Sequence, residues 1–286
     1  MRLTGALLFL LPALAAERVE LRLSRPAAQP DRVLVQEILR TVCPGGVIED
    51  QNRRGFFGCA VCPMFTAFAK EKYGWPAVAM YRGHFTDQKK DQIAVATWGC
   101  EPHSLRFGGA ALFEKQGERW KFVGYKHSMV IDDCVPVVSR DGRNTLLCQS
   151  EDGGQGHLWR NVYLVDLTEI FRPGDFEERP LLHLYDNVNT CGFDENMRPS
   201  EAVQRAIFKR IQLDEGVLRV FVEFGQRPKL SASEAGVCLA MLQGKKMPLT
   251  FLPKTAPYEI RYRFNGERFS VVPEDVPAKQ RVEAAF

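Results

Sequence analysis

From about Pro76 onward the chain has almost no helical periodicity. Short apolar runs alternate with turn-forming residues, and this rhythm constrains the fold more than any other feature of the sequence. The runs at 77–82, 92–98, 109–114, 119–125, 134–139 and 144–149 read as strands, as do those at 160–167, 181–186, 206–213, 217–225, 257–264 and 268–272. Strands at such spacing, with no helical pattern between them, favour antiparallel pairing over βαβ units. The expected fold class is mainly β: propeller-like or irregular antiparallel β-sheet repeats behind a short helical, Cys-containing N-terminal segment.

The region before Pro76 reads differently. Residues 18–24 alternate like a strand, and residues 25–30 (RPAAQP) break it. Asp31 caps an expected helix running to about Thr41, with Val33, Leu34, Ile38 and Leu39 on one face. Residues 44–58 read as loop. Residues 63–73 read as a short helix with Pro63 at its first position, where a missing N–H costs nothing. A further short helix is expected at 200–205.

The first sixteen residues have the order of an export signal. Arg2 is followed by the apolar stretch 3–12 and then by Ala13-Leu14-Ala15-Ala16, a small-residue cleavage pattern. The apolar stretch is about half the length that spans a bilayer, and no later stretch reaches that length. The expected organisation is a signal peptide (1–16), an N-terminal strand and helical Cys-rich segment (17–75), and a β-repeat domain (76–286). Cleavage near Ala15-Ala16 would leave a secreted or periplasmic protein without a membrane span.

Eight cysteines follow the signal: Cys43, Cys59, Cys62, Cys100, Cys134, Cys148, Cys191 and Cys238. An even number in an exported chain points to disulfides, and spacing alone does not choose the pairing. Charge is near balance, with 38 basic against 35 acidic residues. The two signs are interspersed, as on a solvated surface, and no basic stripe marks a nucleic-acid partner.

A strand, a polar turn and a strongly apolar strand recur three times, with turns at 86–91, 140–143 and 214–216. Gln116-Gly117-Glu118-Arg119-Trp120 and Asn265-Gly266-Glu267-Arg268-Phe269 stand at matching places in the first and third copies. Residues 226–256 are an insertion in the third. Residues 83–95 (GHFTDQKKDQIAV), followed by 108–114 (GGAALFE), resemble a divergent FG-GAP repeat, the unit of integrin-alpha-type β-propellers. The resemblance covers about one blade well, and 134–167 and 206–272 loosely. It implies a blade. It does not imply a Ca²⁺ loop, because His84, Thr86, Gln88 and Gln92 stand where that family has oxygen-rich ligands, and Ca²⁺ needs several hard oxygens. Asp87 and Asp91 are out of that phase.

Two constellations carry chemistry. Cys59-Ala60-Val61-Cys62 before a helix would suit a thiol–disulfide oxidoreductase, since a helix N-terminus favours the thiolate. The same cysteines read otherwise as staples, or, with Cys43 and a fourth ligand such as His84, as a zinc site. The second constellation is Glu101 and His103 with Glu151, Asp152 and His157. Each group follows an apolar strand in its copy, so both loops are expected at one end of the sheets, where ligand sites tend to lie. Carboxylates beside imidazoles would suit a binding surface or a metal-dependent hydrolase. Asp132-Asp133 reads as a turn or cap. His127, His183 and the four tryptophans read as packed or rim residues. No nucleophile elbow, His-Glu-x-x-His or phosphate loop is present, and neither metal nor cofactor is expected. The reading that results is an exported, non-catalytic binding or interaction module for a protein, glycan or small-molecule ligand.

Overall fold

A computed structural model of the protein describes residues 19–21, 31–49, 55–72, 74–102, 108–131, 133–154, 156–171, 180–193, 202–242 and 252–283. The export signal lies outside them. Three short strands come first: β1 (Val19–Leu21), β2 (Val47–Glu49) and β3 (Phe57–Cys59). All the strands expected after Pro76 then form. They are β4 (Trp75–Gly83), β5 (Gln92–Trp98), β6 (Gly108–Gln116), β7 (Arg119–His127), β8 (Asp133–Val138) and β9 (Asn144–Gly154). They continue with β10 (His157–Val165), β11 (Pro180–Asp186), β12 (Val203–Asp214), β13 (Val217–Arg227), β14 (Ala256–Phe264) and β15 (Phe269–Val271).

The strands make three antiparallel sheets, ordered β2-β3-β4-β5-β6-β7, β11-β10-β9-β8 and β1-β12-β13-β14-β15. Each rests on a four-strand meander in sequence order: β4–β7, β8–β11 and β12–β15. The N-terminal region adds strands at their edges, where β3 pairs with the start of β4 and β1 with β12.

Successive side chains on a strand point to opposite faces, and this decides the stacking. Leu146 of β9 packs into a core shared with the first sheet, as do Tyr163 and Val165 of β10. Leu147 and Val162 point the other way, into a core shared with the third sheet. The second sheet is therefore the middle layer. The first sheet meets it with small residues, including Ala79, Ala94, Ala96 and Ala110. Close approach explains Gly83: a Cβ there would lie 2.7 Å from Asn144 Oδ1. The third sheet contributes Phe208, Val220, Val222 and Ile260, and Tyr262 donates its hydroxyl to the Leu181 carbonyl at 2.9 Å. Its outer face is charged and solvated, with Lys209–Glu223 and Arg219–Glu259 ion pairs.

The hairpin turns of the three sheets meet at one end. Asn144 joins the first two: its N–H donates to the His84 carbonyl and its Oδ1 accepts from the His84 N–H, both at 2.8 Å. Arg143 reaches the Phe85 carbonyl, Asp166 and Thr168. Arg140 donates its N–H to Gly266 in the β14–β15 turn at 2.6 Å.

The outer face of the first sheet is covered by α1 (Arg32–Arg40), capped as expected by Asp31, which accepts from Val33 and Leu34. Val35, Ile38 and Leu39 are buried against the sheet. Val33, expected on that face, is 76% exposed.

Several local expectations are corrected. Residues 44–58 hold β2 and β3, because Phe56, Phe57 and Cys59 bury themselves in the first sheet's cores. Residues 63–72 form turns in place of a helix. Tertiary bonds override the local propensity: Cys62 N–H donates to Glu71, Lys70 N–H to Cys62, and Phe68 N–H to Cys100. The region expected as a helix at 200–205 instead starts β12 at Val203, with residues 200–201 outside the described residues. Three further helices escaped the sequence reading: α2 (Leu167–Ile170), α3 (Ala232–Leu242) in the inserted stretch, and α4 (Val276–Glu283). In α4 only Val282 is buried, which leaves no apolar stripe to detect.

Asp275, just before α4, clasps Arg261 of β14 through two side-chain hydrogen bonds of 2.7 and 2.9 Å and also accepts from the Arg261 N–H. These bonds hold its carboxyl below the ordinary range. A depressed carboxyl stabilises the fold above its unfolded pKa, about 3.9, and that stabilisation disappears as pH falls through the lower folded value. Asp275→Asn is expected to lower the urea midpoint at pH 7 and to flatten its decline between pH 5 and 3. An unchanged acid limb would remove Asp275 as a contributor.

Candidate functional site

The β9–β10 hairpin carries three of the residues singled out in the sequence. Gly156 turns the chain with φ +86°. Gly153 has no room for a side chain, since a Cβ would lie 2.6 Å from the His157 carbonyl. The pairing sets Trp159 opposite Asp152 on one side and Tyr185 on the other. Asp152, Trp159 and Tyr185 thus form one row across β9, β10 and β11. The next row is Ser150, Asn161 and His183.

Alternation separates the two acids expected together. Asp152 shares its face with Trp159. Glu151 points to the opposite face, where it accepts from Arg160 Nε at 2.6 Å. Arg160 also donates to the Ala206 carbonyl at 2.6 Å and lies 3.8 Å from Asp186. Glu151 thus pairs with the arginine that joins the second and third sheets.

His157 sits two residues from Trp159 on the same face. Its Nδ1 bonds the Tyr185 hydroxyl at 2.5 Å. The His157, Trp159 and Tyr185 rings lie 5.8–5.9 Å apart with interplanar angles of 10–29°. Below them Asn161 Oδ1 meets His183 Nδ1. Burial holds the His183 imidazole below its ordinary pKa, opposed by the nearby Glu283 charge.

This face continues the one that packs on the first sheet through Tyr163 and Val165. Near the hairpin turns the seam between the two sheets is apolar; at the far end it is polar and aromatic on the second sheet. On the first sheet, Trp98 ends β5 on the face that carries Ala94 and Ala96. Trp98 is 40% exposed.

Glu101 is placed differently from what its loop position suggests. It is 2% exposed. Cys100, in the left-handed region at φ +61° and bonded to Cys62, turns the chain inward just before it. Glu101 Oε1 accepts from the Ala67 N–H at 3.3 Å and lies 3.0 Å from His127 Nδ1. His127 Nδ1 makes no hydrogen bond there. Tyr125 and Trp75 stand beside it, with ring centroids 5.8 Å apart. These residues lie on the α1 side of the first sheet, facing away from the second. No contact among the described residues joins Glu101 to Glu151, Asp152 or His157. His103 lies outside the described residues.

The cysteines are paired Cys43–Cys59, Cys62–Cys100, Cys134–Cys148 and Cys191–Cys238. Cys59 and Cys62 are each bonded to another partner, so the redox reading loses its dithiol. The zinc reading loses its thiolates for the same reason. Among the described residues no group of three or more His, Cys, Asp and Glu is arranged to hold a metal ion. No protein-family model, curated protein or solved structure matches the chain.

The sequence reading named Asp152 and His157 and left out the aromatic partners that make their surface. Trp159 was within reach: it lies two residues beyond His157 in an alternating run, hence on the same face. Tyr185 was not, because only the β10–β11 register brings it there. Asp133, expected in a turn, begins β8 and accepts from the Gln149 side chain; Asp132 lies outside the described residues.

Proposed function

We propose that the protein is an exported, non-catalytic binding module whose ligand seat is the polar–aromatic end of the seam between the first two sheets. The observation that carries this reading is the change of character along one sheet face. The face is close-packed at Leu146, Tyr163 and Val165, and carries Asp152, His157, Trp159 and Tyr185 at its other end. Rings with polar tips combine apolar contact area and hydrogen bonding, which suits them to binding surfaces. A glycan, a peptide or a small polar molecule offers the matching chemistry.

We read the three meanders as successive blades of the FG-GAP type. Two features support this. The leading strands keep company, with β8 beside both β4 and β1, the edge partner of β12. The two Gly-Glu-Arg-aromatic stretches fall on third-to-fourth-strand turns, at Gly117 with φ +62° and Gly266 with φ +96°, and Trp120 and Phe269 are buried behind them. Four disulfides fit an oxidising compartment. Secretion or periplasmic export after cleavage near Ala15-Ala16 completes the reading.

A thermal-shift screen of soluble oligosaccharides and short peptides tests the seat, with Trp159→Ala and Arg219→Ala as paired variants. A ligand at a hundredfold excess over Kd adds about 2.7 kcal/mol, or roughly 5–10 °C in Tm. The shift should appear in the native protein and in Arg219→Ala, and vanish in Trp159→Ala. A shift that survives both Trp159→Ala and His157→Ala would place the ligand elsewhere.

A further inference from the structure

A second cluster, on the opposite face of the first sheet, has a different chemistry. Trp75 Nε1, Tyr125 Oη and Glu101 Oε2 are buried, and none has a hydrogen-bond partner among the described residues. They converge. The Tyr125 hydroxyl faces Trp75, Glu101 and Thr97, but none of them meets it with hydrogen-bond geometry. Burial raises the Tyr125 pKa, and the Glu101 charge raises it further, so the hydroxyl keeps its proton.

Leaving three such groups unpaired in an aromatic shell is costly, because each loses water and gains nothing in return. Their capacities are complementary. The indole N–H only donates, an ionised carboxylate only accepts, and a phenol does both. Each side chain is held by its own packing. Trp75 is fixed between Phe65 and Tyr125, Tyr125 fits over Gly109, where a Cβ would lie 2.7 Å from its hydroxyl, and Glu101 is turned inward behind the Cys62–Cys100 bond.

We propose that Trp75, Tyr125 and Glu101 form the walls of an internal hydration site that takes a single water molecule. The water accepts from Trp75 Nε1–H and from the Tyr125 hydroxyl and donates to Glu101 Oε2. About three bonds is the usual complement of a buried water. His127, whose side chain is 42% exposed while its Nδ1 faces Glu101, closes the site towards solvent. The water thereby ties the disulfide-bound loop to the edge strand β7.

A high-resolution crystal structure of the full chain provides the test. The expected result is a spherical density roughly 2.7–3.2 Å from all three atoms. In solution the Trp75 indole proton should show a cross-relaxation peak to a long-lived water. That peak should be lost in Tyr125→Phe, which keeps the ring packing, and in Glu101→Leu. Direct hydrogen bonds among the three side chains with no density between them would overturn the proposal. So would a density with oxygen contacts near 2.4 Å, the signature of a metal ion, or an indole–water peak unchanged in Tyr125→Phe.

Discussion

Leu146→Ala and Leu147→Ala are each expected to destabilise the protein by about 2–5 kcal/mol. In a sheet with one wet face, neighbours on a strand behave oppositely: one truncation is severe and the next is nearly silent. Here both side chains are fully buried, Leu146 towards the first sheet and Leu147 towards the third. Each truncation removes three carbons from a close-packed layer that has little freedom to collapse. Urea unfolding followed by tryptophan fluorescence reads the loss directly. A variant within about 0.5 kcal/mol of the native protein, the range of ordinary surface changes, would show that its side of the middle sheet is not covered. Arg219→Ala on the solvated face of the third sheet is the matched control and should fall within that range.

The second large effect concerns the bond between Cys62 and Cys100. It closes a 38-residue loop, for which chain entropy alone gives about 4 kcal/mol. Cys134–Cys148 closes 14 residues between directly paired strand positions, for which the same argument gives about 3 kcal/mol. The double variant Cys62→Ser/Cys100→Ser should therefore lose more stability than Cys134→Ser/Cys148→Ser in the same denaturant series. The reverse order would mean that the loop at 63–72 holds its place through its own backbone bonds to Cys62 and Cys100. Releasing this bond should also expose the first sheet's polar cluster, read as faster exchange of the Trp75 indole proton.

The strands were legible because their signal is local. Alternating apolar residues and turn formers lie within a few positions of one another, and β5 falls on the expected residues. The Asp31 cap was legible for the same reason. The failures share a cause: each depends on a partner far away in sequence. Residues 63–73 carry a helix-like pattern, and the bonds to Cys62 and Cys100 overrule it. Glu101 looks like a loop acid, and two left-handed residues before it, Gly99 and Cys100, turn it inward. Glu151 and Asp152 look like a pair, but strand geometry sends them to opposite faces of one sheet. The disulfide pairing follows from which strand ends meet. Asp152 and His157 were found because both sit on one hairpin, whereas the rings around them come from register.

The cluster of turns held by Arg140, Arg143 and Asn144 has a mechanical consequence. Measured from that fastened end, the β9–β10 hairpin is a lever against the first sheet. A strand of nine residues such as β10 is about 30 Å long. One degree of rotation at the fastening therefore moves its far end by about 0.5 Å, while the apolar packing near the turns hardly changes. The leverage is greatest at the hairpin that carries His157 and Trp159.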